Sequence, residues 1–378
     1  MVSFLSINAH VSLSSLHTMN NPQTKPIFLL TLAAAVLIGG AACSPSGDSG
    51  SSPAASNEAL KAFPESADIA MYFDQKAMSE SEFSKAVAGM QETLPQAEES
   101  QEIADTITEI TGLSDDDVTV FALAVSGLEM VQVDPTALKI SGAVSADKVV
   151  TADQIVQAIT YVTEQSGESF DMTVTEGEGV QYIEFPKEPG APEIFSAVTN
   201  DGSSTTAFFG DKTSVDSSVA RSSGSIPAAL SAPSMGLIDG QQGWISIILP
   251  ESLKAQLAGM AAQGEAFAPG LSKIQSLESI GVGMMAADDL AMKIGLNLGS
   301  EEDAQAIASI LNNQLISFAK MMVAGNTPEP LPVLDSLVAG SEGSRATLSL
   351  AITLKDLEIL QTQLLNFLPG MGLPVPGA

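Results

Sequence analysis

Along most of the chain, stretches of alternating apolar and polar residues take turns with stretches whose apolar residues recur every three or four positions. Alternation is typical of a strand with one buried face, and the longer spacing is typical of an amphipathic helix. We predict strands at 68–74, 118–127, 138–145, 170–177, 180–186, 205–211, 243–250, 279–286, 290–299 and 345–352, with a hairpin around 200–202. The pattern therefore predicts a mixed fold of short strands and covering helices.

Helical patterns fill the intervals between these strands. We expect them at 80–111 with a break near Pro95, at 151–167, in a short piece after 212, at 251–263, at 300–325 and after 352. Four of them begin with two polar residues spaced as in a capping box, in which each side chain bonds the other's backbone amide. The pairs are Thr151 with Gln154, Thr213 with Asp216, Ser300 with Asp303, and Thr353 with Asp356.

The composition changes at 222–236, which is rich in Ser, Pro, Gly and Ala and predicts a linker or long loop. Each half begins with strand, helix, strand, strand and capped helix, and LKISGAVS and MKIGLNLG hold the same place in that order. We therefore expect an α+β fold with two similar lobes of largely antiparallel sheet covered by helices, at 58–230 and 235–370, and a tail at 371–378. The similar order of elements in the two halves has two explanations. One is a degenerate internal duplication, and the other is a chance alternation of strands and helices.

The N-terminal region has the features of an export signal. Residues 27–38 are an unbroken apolar run, Lys25 precedes them, and no Asp or Glu occurs before residue 43. The run is shorter than the ~20 residues that a membrane-spanning helix needs. Met19 is an alternative start for this segment.

The run ends in the sequence G-A-A-C at 40–43, and Cys43 is the only cysteine of the chain. This stretch resembles the lipobox of bacterial lipoproteins, although Leu is commoner than Gly40 at its position. The resemblance implies a signal peptide at 1–42 cleaved by signal peptidase II, and a diacylglyceryl group with further acylation, such as palmitate, on Cys43. It also implies anchoring in the cell envelope, facing the periplasm or the exterior, and Ser44 favours the outer membrane. The alternative is a lone buried cysteine in a secreted protein.

Residues 43–57 are a Ser/Gly/Pro-rich tether. After it, AFPESADIAMYFDQKAM at 62–78 resembles the start of uncharacterised exported proteins built from α+β repeats. That resemblance implies no activity.

Removal of residues 1–42 takes away His10, His17 and Lys25, which leaves 14 basic against 45 acidic residues and a net charge of −31. Such a charge repels phosphate backbones, so we expect no nucleic-acid partner. The mature chain then has no imidazole for a Ser-His-Asp or Cys-His site, and no His or Cys pair for zinc or copper. We expect no cofactor.

Three kinds of catalytic or metal site can form without histidine. Ser-x-x-Lys occurs at Ser145/Lys148 and Ser317/Lys320, without the other motifs of serine-lysine enzymes. A hydrolase needs only two carboxylates, which the sequence cannot single out. Calcium takes oxygen ligands, but a solvated turn is the simpler interpretation of two acidic runs, Asp115–Asp117 and Asp288–Asp289. We expect Trp244 in the core and predict no catalytic or metal residue.

The chain has 15 methionines, including the pairs Met284–Met285 and Met321–Met322. Methionine adapts to irregular apolar partners, but its place in strand and helix patterns favours core packing. We expect a lipid-anchored, non-catalytic binding or structural component of the envelope, whose partners are the membrane and an envelope protein. The alternatives are a carrier or chaperone-like protein for lipid or apolar ligands and a carboxylate-dependent hydrolase.

Overall fold

The computed structural model describes residues 58–92, 98–130, 134, 137–165, 170–186, 193–265, 269–317, 320–321 and 332–359. The predicted signal peptide, Cys43, the tether, both histidines and the tail at 371–378 lie outside the described residues. Two compact units are present. Unit 1 comprises the segment that ends at Ala67, together with Tyr72–Glu80 and Gln91–Pro227. Unit 2 comprises Asp68–Met71, Ser81–Met90 and the chain from Ala228 onward.

Twelve strands are defined in the described residues. They are β1 Ile69–Asp74, β2 Val118–Ser126, β3 Lys139–Ala146, β4 Thr173–Gly177, β5 Val180–Glu184, β6 Phe195–Asn200, β7 Thr205–Gly210, β8 Gly243–Ile248, β9 Leu277–Ala286, β10 Leu290–Leu298, β11 Val338–Glu342 and β12 Arg345–Ile352.

The α-helices of the same ranges are α1 Gln75–Ser79, α2 Glu82–Glu92, α3 Glu98–Thr111, α4 Ala152–Gln165, α5 Lys212–Ala220, α6 Ala228–Ser231, α7 Glu251–Gly264 and α8 Glu301–Ile310. A π-helical turn, Leu311–Ile316, continues α8, and residues 354–359 are helical. Short 3-10 helices occur at Leu60–Ala62, Asp115–Asp117, Leu271–Ser276 and Pro332–Leu334.

In unit 1 the strand order is β2-β3-β7-β6-β5-β4, and each neighbouring pair is antiparallel. Both faces are buried at β3 and β7 in the middle of this sheet. Val144 and Phe209 belong to the cluster that packs with α3 and α4, whereas Ala143 and Phe208 belong to the cluster on the other face, with Val215 of α5. Because neighbours along a strand point to opposite faces, β3 and β7 each contribute to two cores and consist almost entirely of buried residues.

In unit 2 the strand order is β11-β12-β10-β9-β8, again with antiparallel neighbours. Helix α8 packs on one face through Ala304 and Ile307, in a core with Leu277, Leu298 and Ala346. The segment 228–242 covers the opposite face, and Leu230 and Leu237 of this segment are buried. The sheet of unit 2 is therefore covered from both sides.

Glycines on β9 and β10 explain how the segment 228–242 reaches its face of the sheet. A Cβ at Gly281 would lie 2.0 Å from the carbonyl oxygen of Pro233, and a Cβ at Gly295 would lie 2.8 Å from a methyl carbon of Leu237. Gly281 and Gly295 are direct partners across the β9–β10 ladder. The backbone of the covering segment therefore needs this small-residue surface.

Three of the four predicted capping pairs are confirmed. Thr151 and Gln154 exchange hydrogen bonds at the start of α4, Ser300 accepts from the amide of Asp303 at the start of α8, and Asp356 accepts from the amide and hydroxyl of Thr353. Strand β12 has the predicted bounds. These features are local in sequence, which is why the pattern alone identifies them.

The fourth capping pair is wrong. Asp211, not Thr213, caps α5, because its carboxylate accepts hydrogen bonds from the amide and hydroxyl of Ser214. Asp is the stronger cap, so the helix starts at Lys212 and places Thr213 within its first turn. Asp216 instead forms an ion pair with Lys212, one turn away.

The long helix predicted at 300–325 changes to a π-helical turn after Ile310. In this turn the side chain of Asn312 bonds both the carbonyl oxygen and the amide of Ala339, at 3.0 and 3.2 Å. The turn thus directs a side-chain amide to the backbone of β11, a short strand containing Gly and Ser that the sequence pattern did not predict.

The stretch 222–236 is not a simple linker either. It contains α6, and Ser234 is fully buried beside Ser246 of β8, with 3.2 Å between the two hydroxyl oxygens. The α+β class and the antiparallel sheets are confirmed, with helices on the sheet faces.

Candidate functional site

The predicted lipidation site, Cys43, lies outside the described residues. None of the helices in the described ranges combines the length and apolar character that crossing a bilayer requires.

The first Ser-x-x-Lys pair is engaged in separate contacts. The hydroxyl of Ser145 is buried and lies 2.8 Å from the hydroxyl oxygen of Thr206. The ammonium of Lys148 lies 2.7 Å from the carboxylate of Asp117 and donates to the carbonyl oxygen of Gly112 at 3.0 Å. Ser145 and Lys148 are therefore held by different partners.

The second Ser-x-x-Lys pair is similar. Ser317 donates to the carbonyl oxygen of Asn312, five residues back in the π-helical turn. Lys320 lies 3.3 Å from Asp335, whose side chain is 82% exposed. These contacts are those of a helix end and a surface ion pair.

The acidic run Asp115–Asp117 forms a 3-10 turn ahead of β2, and Asp117 organises it. Its carboxylate accepts from the amide and the hydroxyl of Ser114, both at 2.6 Å, and pairs with Lys148. Burial acts to raise the pKa of Asp117, but the hydrogen bonds from Lys148 and Ser114 outweigh it and lower this pKa below the ordinary value. The carboxylate stabilises the turn.

The second acidic run, Asp288–Asp289, lies exposed in the turn between β9 and β10. The amide of Ala287 donates to the carbonyl oxygen of Asp289, and the carbonyl oxygen of Ala287 accepts from the amide of Phe83. Within the described ranges, no group of three or more acidic, His or Cys side chains could hold a metal ion.

Trp244 lies in the core, as predicted, with 5% of its surface exposed on β8. In unit 1 a lysine lies close to the aromatic rings of Tyr182 and Phe195. The ammonium of Lys212 lies 5.8 and 5.4 Å from their centroids and also bonds Asp216, at 2.9 Å. The hydrogen bond to Asp216 is the main reason why the pKa of Lys212 is raised.

The two arginines that follow Cys43 each bind main-chain carbonyl oxygens. Arg221, which ends α5, donates to the carbonyl oxygens of Lys61 and Phe63. Arg345, the first residue of β12, donates to those of Ala232 and Met235, at 3.1 and 2.8 Å. Each arginine therefore binds the backbone of a segment that lies shortly before a strand. Arg221 binds the segment before β1, and Arg345 binds the segment before β8. The sequence singles out these two residues only because arginine is scarce. Their role depends on contacts between residues that lie more than 100 positions apart in the sequence.

The lysines are similarly engaged. Nine lysines of the described ranges form ion pairs with carboxylates, namely Lys61, Lys76, Lys85, Lys148, Lys212, Lys254, Lys273, Lys293 and Lys320. Lys273 bonds Asp303, which lowers the pKa of that carboxyl and raises that of the lysine. Most lysine charges in the described ranges are therefore neutralised by a nearby carboxylate.

The expectation that methionines pack in the core is wrong for four of them. Met130, Met235, Met260 and Met321 are 51%, 59%, 61% and 64% exposed, whereas Met284 is 6% exposed. The first four lie on turns and helices rather than on the sheets. The strand pattern correctly predicted that Met284 is buried. For a methionine in a helix or a turn, the pattern did not show whether the side chain faces the core or the solvent.

A row of apolar side chains crosses the sheet of unit 2. Ile245, Val282, Ile294 and Leu348 are successive partners on β8, β9, β10 and β12, so they share one face. Each is only partly buried, and this is the face on which α8 packs further along the strands. All four side chains of this row are apolar.

No protein-family model, no curated protein and no solved structure matches this chain.

Proposed function

We propose that this protein is a lipid-anchored, extracytoplasmic component of the cell envelope that acts by binding or as a structural element, not by catalysis. The observation that carries the proposal is the place of Cys43, the one cysteine in 378 residues, at the end of G-A-A-C after an apolar leader. Two or more acyl chains on this residue would hold the protein firmly on a membrane, whereas one chain would bind only marginally.

The charges of the described residues support the absence of catalysis and of a nucleic-acid partner. Both arginines after residue 43 bind main-chain oxygens, and the lysines of both Ser-x-x-Lys motifs pair with aspartates. A phosphate backbone needs accessible positive charge, and the acidic excess of this chain opposes its approach.

Mass spectrometry of the mature protein from membranes tests the anchor. We expect an N-terminal peptide that begins at Cys43 and carries acyl chains, with the protein sedimenting with outer membranes in a density gradient. Cys43→Ser should leave the leader uncleaved and keep the protein out of the outer-membrane fraction, because signal peptidase II requires the lipidated cysteine. The matched control, Ser51→Ala in the tether, should stay anchored. An unmodified peptide that runs through residue 42 would refute the proposal.

The partly buried apolar row of unit 2 favours a second candidate, a carrier for lipids or other apolar ligands. Four branched side chains on one sheet face, Ile245, Val282, Ile294 and Leu348, form a surface suited to acyl chains. Native mass spectrometry after mild purification should then detect a lipid of defined mass. Ile294→Asp should remove that lipid, whereas Lys355→Ala, an exposed site, should not. A protein that carries no lipid in both forms would contradict the carrier.

We infer further that the two halves of the chain arose by duplication. The order β1-β2-β3-β7-β6 corresponds to β8-β9-β10-β12-β11, with α4 and α8 following the third strand of each set. The hairpin β4–β5 is then an insertion in the first half. A capped helix follows the last matched strand of each set, at Asp211 and at Thr353.

The segments ahead of the first strands support the same inference. In unit 1, Ala62 accepts a hydrogen bond from Ser141 of β3, and the neighbouring Phe63 accepts one from Arg221. In unit 2, Pro233 accepts from Asn297 of β10, and Met235 accepts from Arg345. An experimental structure tests the inference: the two strand sets should superpose in the stated order, with the two arginine-bound segments on equivalent faces. Superposition only in a different strand order would contradict it.

A further inference from the structure

Four methionines of the described residues lie on the surface, although methionine is among the residue types most often buried. Met130, Met235, Met260 and Met321, the surface methionines, each expose more than half of their area, against 6% for Met284. A thioether in contact with solvent is chemically distinct from one within a core, because oxidants in water reach its sulfur directly.

We propose that the surface methionines are modification sites that consume hydrogen peroxide while the fold stays intact. In the reaction a sulfur lone pair attacks one peroxide oxygen, an S–O bond forms and the O–O bond breaks. The proton of the transferred oxygen passes to the departing hydroxide, which leaves as water. The sulfur loses two electrons, the peroxide gains them, and the product is methionine sulfoxide, which methionine sulfoxide reductases can reduce.

The charge of the protein favours a neutral oxidant over an anionic one. The chain carries 45 acidic against 15 basic residues, and the described lysines are mostly paired with carboxylates. The resulting negative potential lowers the local concentration of anions such as hypochlorite, but it leaves uncharged peroxide unaffected.

The surroundings of Met235 show why oxidation there is compatible with the fold. The hydroxyl of Ser231 donates to its sulfur across 3.5 Å, and Arg345 binds its main-chain oxygen at 2.8 Å. A sulfoxide oxygen is a stronger acceptor than a thioether, so Ser231 can donate to it, and the bond from Arg345 does not involve the side chain. Met130 is likewise held by main-chain bonds to Gly127 and Asp134.

Met284 provides the contrast. It lies on β9 between Gly243 of β8 and Met292 of β10, and it is buried. A sulfoxide at this position would place a strong polar acceptor in apolar surroundings, which opposes folding unless the acceptor finds a donor. Oxidation of Met284 should therefore be slow and disruptive.

Limited oxidation followed by peptide mapping tests the proposal. The purified full-length protein is treated with hydrogen peroxide equal in amount to the four surface methionines, and the mass gain of each methionine peptide is measured over time. We expect the four peptides to gain one oxygen at least ten times faster than the Met284 peptide, with unchanged circular dichroism and melting midpoint. Treatment with both stereospecific reductases should then restore their masses.

Two variants separate the proposal from general oxidative damage. Replacing all four surface methionines with Leu should remove the early oxygen gain of the peptides that contain these positions. Met284→Leu should leave the early uptake unchanged and delay the loss of structure at higher peroxide. The proposal is overturned if Met284 reacts as fast as the four, or if the early sulfoxides lower the melting midpoint.

Discussion

Arg345 and Asn297 are direct partners across the β12–β10 ladder, and the guanidinium of Arg345 donates a 2.7 Å hydrogen bond to the side-chain oxygen of Asn297. Asn297 in turn donates to the hydroxyl of Ser279 on β9 and to the carbonyl oxygen of Pro233. One polar network therefore joins three strands of unit 2 to the segment 228–242. Its donors and acceptors come from residues that are distant in sequence.

This network predicts that Arg345→Lys destabilises the protein although the charge is kept. A lysine cannot bind Asn297 and two carbonyl oxygens with one planar fork, so at least one acceptor loses its donor at a cost of about 1–3 kcal/mol. The measurement is the free energy of unfolding in urea. Lys85→Ala, which breaks an exposed ion pair within one helix, is the control and should change stability by less than about 0.5 kcal/mol. An unchanged midpoint for Arg345→Lys would show that the guanidinium bonds add no stability.

The close approach of Pro233 predicts a large effect of Gly281→Ala. The new Cβ would lie 2.0 Å from a main-chain oxygen, so the segment 228–242 or the sheet must shift, which costs about 1–3 kcal/mol or more. Gly259→Ala is the matched control: it lies in α7 with no heavy atom near its Cβ position, and should stabilise by about 0.5–1 kcal/mol. Melting midpoints that move in the same direction for both variants would contradict the described packing.

The β6–β7 turn predicts an acid-dependent loss of stability at Asp201. Its carboxylate accepts from the amides of Ser203 and Ser204, at 2.9 and 2.7 Å, and these bonds lower its pKa to about 2. Because the folded-state pKa lies below the unfolded one, the contribution is present above pH ~4 and is lost as the pH falls towards 2.

Asp201→Asn should therefore be less stable than the natural protein at neutral pH, and the difference should vanish as the pH falls through this window. Urea unfolding at a series of pH values measures it. Asp288→Asn, in the exposed β9–β10 turn, is the control and should show a smaller difference. If the difference in unfolding free energy between Asp201→Asn and the natural protein stays constant from pH 7 to 2, the carboxylate is not its source.

The two-residue turn between β4 and β5 predicts a stabilising substitution. Glu178 has φ of 52° and Gly179 has φ of 80°, which is the backbone of a type I′ turn. Asn tolerates this region better than Glu, so Glu178→Asn should stabilise by about 0.5 kcal/mol. Gly179→Ala should destabilise through conformation alone, since no heavy atom lies near its Cβ position. Equal melting midpoints for the two variants would argue against this turn.

The sequence by itself determined the local elements and the class of the fold. Alternation placed β3 and β12, and three capping pairs placed the starts of their helices, because these signals depend on residues only two to four positions apart. The acidic charge and the position of Cys43 likewise need no structure. Asp211 was not predicted as the cap of α5 because Thr213, two residues later, is also a residue type that caps helices.

Only the tertiary structure decided which surfaces meet. It packed the segment 228–242 over Gly281 and Gly295, and it brought the side chain of Asn312 into hydrogen bonds with β11. It also gave the two arginines their main-chain acceptors and left four methionines in solvent. These outcomes depend on the geometry of contacts between residues far apart in sequence, which no local period or spacing encodes.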